Sequence, residues 1–93
     1  MRIHKKLKDG RIIEYGGRNR YAVFRMTMHP YSVTGGPSAK EMVAWARERH
    51  SMRGWDYAVL DTTTGEIIAT YPISLKERID GKPVDKSKES ERG

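Results

Sequence analysis

The chain has 93 residues, no cysteine and a net charge of +6; this bounds it to one small domain held by apolar burial, without disulfides or thiolate metal sites. It opens Met1-Arg2-Ile3-His4-Lys5-Lys6, unlike the apolar core of a secretory leader, and no run reaches membrane-spanning length, so the expectation is a soluble, cytoplasmic protein. The charge is uneven: residues 1–53 hold 12 Lys or Arg against 4 Asp or Glu, a balance of +8, and residues 54–93 hold 6 against 8, a balance of −2.

In chain order, Asp9-Gly10 predicts a hairpin with a two-residue turn, because both central positions of such a turn favour positive φ. That register sets Leu7 opposite Ile12 and Lys5 opposite Glu14, an opposite-charge cross-strand pair. Gly16-Gly17 interrupts the pattern, and Arg20 to Met28 resumes it as a third strand. On this strand Ala22, Phe24, Met26 and Met28 form the expected core face, with Tyr21, Val23, Arg25 and Thr27 on the other. His29 to Pro37, with two prolines and two adjacent glycines, reads as a loop.

Ser38-Ala39-Lys40-Glu41 is a capping box, in which the serine hydroxyl and the glutamate satisfy free helix amides; it predicts a helix from Ala39 to about His50. Ala39, Met42, Val43, Ala46 and His50 fall on one stripe and should face the sheet. Lys40, Glu41, Ala44 and Glu48 lie opposite with no positive excess, which argues against this helix reading a DNA major groove. Trp45 and Arg49 sit on a flank, with Arg53 nearby.

Between Trp55 and Tyr71, two β-rich runs flank Asp61-Thr62-Thr63-Thr64-Gly65-Glu66, predicting a hairpin with a three-residue turn closed by Gly65. Leu60 then pairs with Ile68 and Ala58 with Thr70, while Tyr57, Val59, Ile67, Ala69 and Tyr71 share the other face. Ser74-Leu75-Lys76-Glu77 repeats the capping pattern, predicting a short helix from Leu75 to Ile79. Residues 82–93, rich in Lys, Ser, Glu and Asp, cannot bury enough surface to offset their ordering entropy and are expected to be a disordered tail. The fold class is therefore α+β in a single domain over residues 1–81: an antiparallel sheet of four to five strands, in β-β-β-α-β-β order, with one main helix on one face.

Catalytic chemistry has little to stand on. The chain lacks a cysteine nucleophile and a Gly-x-Ser-x-Gly elbow, and His4, His29 and His50 fall on three different elements, so neither a metal set nor a cofactor site is expected. Gly35-Gly36-Pro37-Ser38 opens a helix but lacks the Lys and Ser/Thr of a phosphate loop. Asp61 is best explained as a turn former. The chain reads as a non-enzymatic binding module.

Two readings of its partner follow. In the first, Arg18, just before the third strand, and Arg20, Tyr21 and Arg25 on it, aided by Lys5, Lys6, Lys8 and Arg11 in the first hairpin, form a sheet-borne basic and aromatic surface for nucleic acid. In the second, the protein binds another protein or a second copy of itself, as small accessory, adaptor or inhibitor modules of phages and mobile elements do, through an apolar sheet face. That face would carry Tyr57 and Tyr71, with Trp45, Arg49 and Arg53 beside it. The bland alternative for the Trp45 and Arg49 pair is an aromatic lid on the core with a cation stacked over it.

Overall fold

A computed structural model describes residues 2–80 together with 83 and 84. The chain forms β1 (Ile3–Lys6), β2 (Ile12–Tyr15), β3 (Tyr21–Arg25), β4 (Tyr31–Gly36), α1 (Ala39–Arg53), β5 (Tyr57–Asp61), β6 (Glu66–Tyr71), a 3-10 turn over Ile73–Leu75, α2 (Lys76–Ile79) and β7 (Pro83–Val84). The α+β class stands, and the strands divide between two antiparallel sheets, ordered β2-β1-β7 and β4-β3-β5-β6. Of the tail expected to be disordered from residue 82, Pro83–Val84 pair with β1; residues 81, 82 and 85–93 lie outside the described residues.

The first hairpin departs from the expected register by one residue. Gly10 takes φ 96°, and the Leu7 amide donates to the Arg11 carbonyl at 2.8 Å, so the turn holds three residues. Lys5 therefore faces Ile13 and His4 faces Glu14, and the expected Lys5–Glu14 pair is not made. The reason is apolar burial: in this register Ile3 stands opposite Tyr15, and Leu7, Ile13 and Tyr15 all enter the core. Their transfer from water outweighs a surface ion pair of a few tenths of a kcal/mol, about 1 at most. Glu14 instead pairs with Arg2 at 3.1 Å and His4 at 3.0 Å.

The segment expected as a loop contains β4, an edge strand. It escapes period-two reading because Tyr31, Ser32 and Val33 all face solvent and its pairing with β3 is bulged between Val23 and Phe24. Backbone hydrogen bonding rather than apolar alternation makes this strand. Its glycines permit close approach: a Cβ on Gly35 would lie 3.0 Å from the Tyr21 carbonyl oxygen, and one on Gly36 would lie 3.2 Å from Met42 Cε.

Both faces of the four-stranded sheet are covered. Ala22, Phe24, Met26, Ala58, Leu60 and Ile67 pack with Leu7, Ile13 and Tyr15 of the first hairpin and with Leu75 and Ile79. Val23, Tyr57 and Val59 pack on the other side under Met42 and Ala46 of α1. Thus α1 lies on the Val23 face. Phe24 is in the core as expected at 1% exposure, but Met28 is not, at 80%; β3 ends at Arg25 and Met28 lies in the following turn. The face carrying Tyr57 and Tyr71, expected to be open, is the one α1 covers: Tyr57 is 2% exposed and Tyr71 half-buried against His50, ring centroids 6.4 Å apart.

The β5–β6 hairpin keeps the Ala58–Thr70 pair but turns over four residues, Thr62 to Gly65, and sets Leu60 opposite Ile67. A bulge at Ile68 takes up the difference. It sends Ile67 to the hairpin side and Ile68 to the α1 side, so both isoleucines are shielded. Ser38 caps α1 as expected, its Oγ accepting the Glu41 amide at 3.3 Å, and Gly54 ends the helix at φ 73°. The short C-terminal helix forms without a side-chain cap from Ser74.

Candidate functional site

The site forms where four elements end together. Arg25 closes β3, facing Tyr31 at the start of β4 and Tyr57 at the start of β5. Trp45, Arg49 and Arg53 follow one another at four-residue spacing along α1, which keeps them on one stripe of that helix. Gly54 then reverses the chain and brings Trp55 back over the sheet. The His50 ring fixes this return: its Nδ1 lies 2.8 Å from the Trp55 carbonyl oxygen, which can only accept, so Nδ1 carries the proton.

These residues line an open cleft of about 400 Å³, walled by Arg25, Tyr31, Val33, Trp45, Arg49, Arg53, Trp55 and Tyr57. Each arginine stacks on a tryptophan. The Arg25 guanidinium is 3.6 Å from the Trp55 ring centroid, Arg53 is 5.1 Å from the same ring, and Arg49 is 5.1 Å from Trp45. Trp45 itself stands edge-on to Tyr57, centroids 5.6 Å apart at 83°, so the lid role expected for it holds. Trp55 is 38% and Tyr31 46% exposed. Arg25 Nη1 donates to the Tyr31 hydroxyl at 3.1 Å.

Charge in the cleft is one-sided. Among the described residues the ion pairs are Arg2 and His4 with Glu14, Arg11 with Asp9, and Arg20 with Asp61; Arg25, Arg49 and Arg53 enter none. A guanidinium stacked on an aromatic ring keeps its N–H edge free, and that planar fork matches phosphate or carboxylate oxygens. The arrangement is thus a set of oriented anion donors next to partly exposed aromatic rings.

The residues expected to bind nucleic acid do not form one surface. Arg25 enters the cleft. Arg18, Arg20 and Tyr21 lie at the opposite end of β3, where Arg20 stacks on Tyr21 at 5.2 Å and approaches the Asp61 carboxylate at 3.5 Å. Burial pushes the Asp61 carboxyl up, but the amides of Thr63 and Thr64 and the Arg20 guanidinium together hold it below the usual range. Lys5, Lys6, Lys8 and Arg11 belong to the first hairpin, on the other side of the sheet from α1; Lys5 is buried rather than on a surface, and Arg11 is occupied by Asp9 at 2.6 Å and by the Thr27 carbonyl at 3.0 Å.

Of the residues expected to meet a protein partner, Trp45, Arg49, Arg53 and Tyr57 line the cleft, while Tyr71 lies under α1 near His50. The cleft therefore joins residues from both expected sets. Sequence reasoning missed Trp55, Tyr31 and Val33. The signal for Trp55 was the glycine before it, which ends α1 and turns the next side chain back; Tyr31 and Val33 were hidden in a segment without periodicity. Among the described residues no cluster of three or more His, Asp or Glu could hold a metal ion, and no helix is long and apolar enough to cross a membrane. Searches against protein families, curated proteins and solved structures found no match for this chain.

Proposed function

We propose that this protein is a non-enzymatic, cytoplasmic module that binds single-stranded nucleic acid in the cleft between α1, Trp55 and the start of β4. The observation that carries this reading is the triad Arg25, Arg49 and Arg53, each stacked on tryptophan and free of carboxylate partners among the described residues. The guanidinium N–H groups not donated to Tyr31 contact phosphates, and the exposed parts of the Trp55 and Tyr31 rings stack with bases, a combination that tolerates any sequence because every base has a π-face. A single strand suits the cleft better than a duplex, since the outer face of α1, where Lys40 is offset by Glu41 and Glu48, carries no positive excess to read a major groove.

Trp45 and Trp55 are the only tryptophans of the chain, and both line the cleft, so their emission reports occupancy directly. Titration with oligothymidylate is expected to quench it, and log K is expected to fall with log salt at a slope of about −2, as for three phosphate contacts on a single strand. Trp55→Ala is expected to weaken binding by about tenfold to a hundredfold, the range for losing one stacking platform. Absence of salt-sensitive binding would overturn the reading. So would equal binding of polyglutamate, which carries the charge without bases and would point to an acidic protein partner.

A further inference from the structure

We propose that the bound strand leaves the cleft along the edge of β4 and ends on Arg18, Arg20 and Tyr21, giving a footprint of about four nucleotides, the low end for single-strand-binding folds. This rests on the cleft being a nucleic-acid site. Three observations carry it. The first is charge: no Asp or Glu occurs between Glu14 and Glu41, a run that holds Arg18, Arg20, Arg25 and Lys40. The whole β3–β4 hairpin is therefore free of its own carboxylates; Asp61 of β5 faces Tyr21 and meets Arg20.

The second observation is geometry. The β3–β4 register sets Arg25 beside Tyr31 at one end and Tyr21 beside Gly36 at the other. Four residue steps separate Arg25 from Tyr21 on β3, about 13 Å of strand, and α1 covers the sheet face between them. The direct route is closed, and the outer edge of β4 is the open one.

The third observation is the character of that edge. β4 ends the strand order, so its outward amides and carbonyls have no sheet partner, and its side chains after Tyr31 are Ser32, Val33, Thr34, Gly35 and Gly36. None of these is charged or bulky. At the far end Asn19 closes over Gly35, its Nδ2 standing 2.9 Å from where a Cβ would be, and Arg20 stacks on Tyr21 at 5.2 Å. That end thus repeats in smaller form the cation-on-aromatic pairing of the cleft.

The test is length-dependent binding by the whole chain, followed by tryptophan emission. Oligothymidylates of two, four, six and eight residues are expected to gain affinity up to about four and then level off. Arg18→Glu changes an exposed side chain with no ion pair among the described residues. It is expected to weaken the six-residue ligand by about tenfold and to leave the two-residue ligand unchanged. Photocrosslinking from 5-iodouracil at the distal end of the four-residue ligand is expected to mark the Arg18–Tyr21 segment. Binding without length dependence, or an Arg18→Glu protein that binds six residues like the parent, would overturn this path while leaving the cleft in place. Failure of every oligonucleotide to quench would overturn the cleft reading itself.

Discussion

Lys5 is 1% exposed, in a strand facing Ile13, and burial lowers its ammonium pKa against the opposing pull of Asp80 and Glu66. A base whose folded pKa lies below its unfolded value of ~10.4 costs stability while it is charged. The folded state should therefore gain stability as pH rises from the folded pKa toward that value. Lys5→Met keeps the volume and removes the charge; it is expected to raise stability at pH 7 by about 1–3 kcal/mol, with the alkaline gain abolished, as denaturant unfolding at pH 7 and pH 10 would show. Asp61 behaves in the opposite sense. Its folded pKa is depressed, so its stabilisation is complete above the unfolded value of ~3.9 and is lost as pH falls through the folded one. Asp61→Ala is expected to cost about 1–3 kcal/mol at pH 7, because the Thr63 amide at 2.9 Å and the Arg20 guanidinium lose their acceptor, and to flatten the acid limb of the unfolding curve. The turn role of Asp61 was legible from its place before Thr62-Thr63-Thr64-Gly65. The inward turn of Lys5 was not, since opposite charges at positions 5 and 14 make the other register look favourable.

At the level of elements, the start of α1 was legible in the Ser38 cap, but its end was not: the helix expected to stop near His50 runs to Arg53, where Gly54 closes it in the left-handed conformation. The three-residue closure at Gly10 and the Ile68 bulge were not, since an Asp-Gly pair and a Thr-rich turn each admit two loop lengths and only the packing on both sheet faces chooses between them. β4 was hidden for the opposite reason: it packs so little that no periodicity is imposed on it. Gly35→Ala tests its construction. The added Cβ would meet the Tyr21 carbonyl oxygen at 3.0 Å and the Asn19 side chain at 2.9 Å, so part of the β3–β4 pairing must shift. The expected cost is about 1–3 kcal/mol, in the range for overpacking. Loss at the α1 cap is simpler: Ser38→Ala is expected to cost about 1 kcal/mol, read from the midpoint of thermal unfolding.

For the molecule as a whole, the sequence made the α+β class and the uneven charge plain, but not where the charge is used. The cleft draws on β3, β4, α1 and the return to β5, so its residues are up to 32 positions apart, from Arg25 to Tyr57, and only the tertiary arrangement gathers them. The basic residues that looked continuous along the first half are divided by the sheet between two layers. Phe24 belongs to the layer shared with the first hairpin, and Phe24→Ala is expected to lose about 3–5 kcal/mol, a large share of the stability of a domain this small. Far-UV circular dichroism in denaturant would measure it. Because β3 and β5 are interior to their sheet and roofed on both sides, deuterium can reach their amides only when the entire domain opens. β4 has a free edge, and its outward amides should exchange through small local excursions. The edge and the protected centre of one sheet are thus adjacent strands on widely separated clocks, so that under the proposed function β4 adjusts to a bound strand without the fold being disturbed.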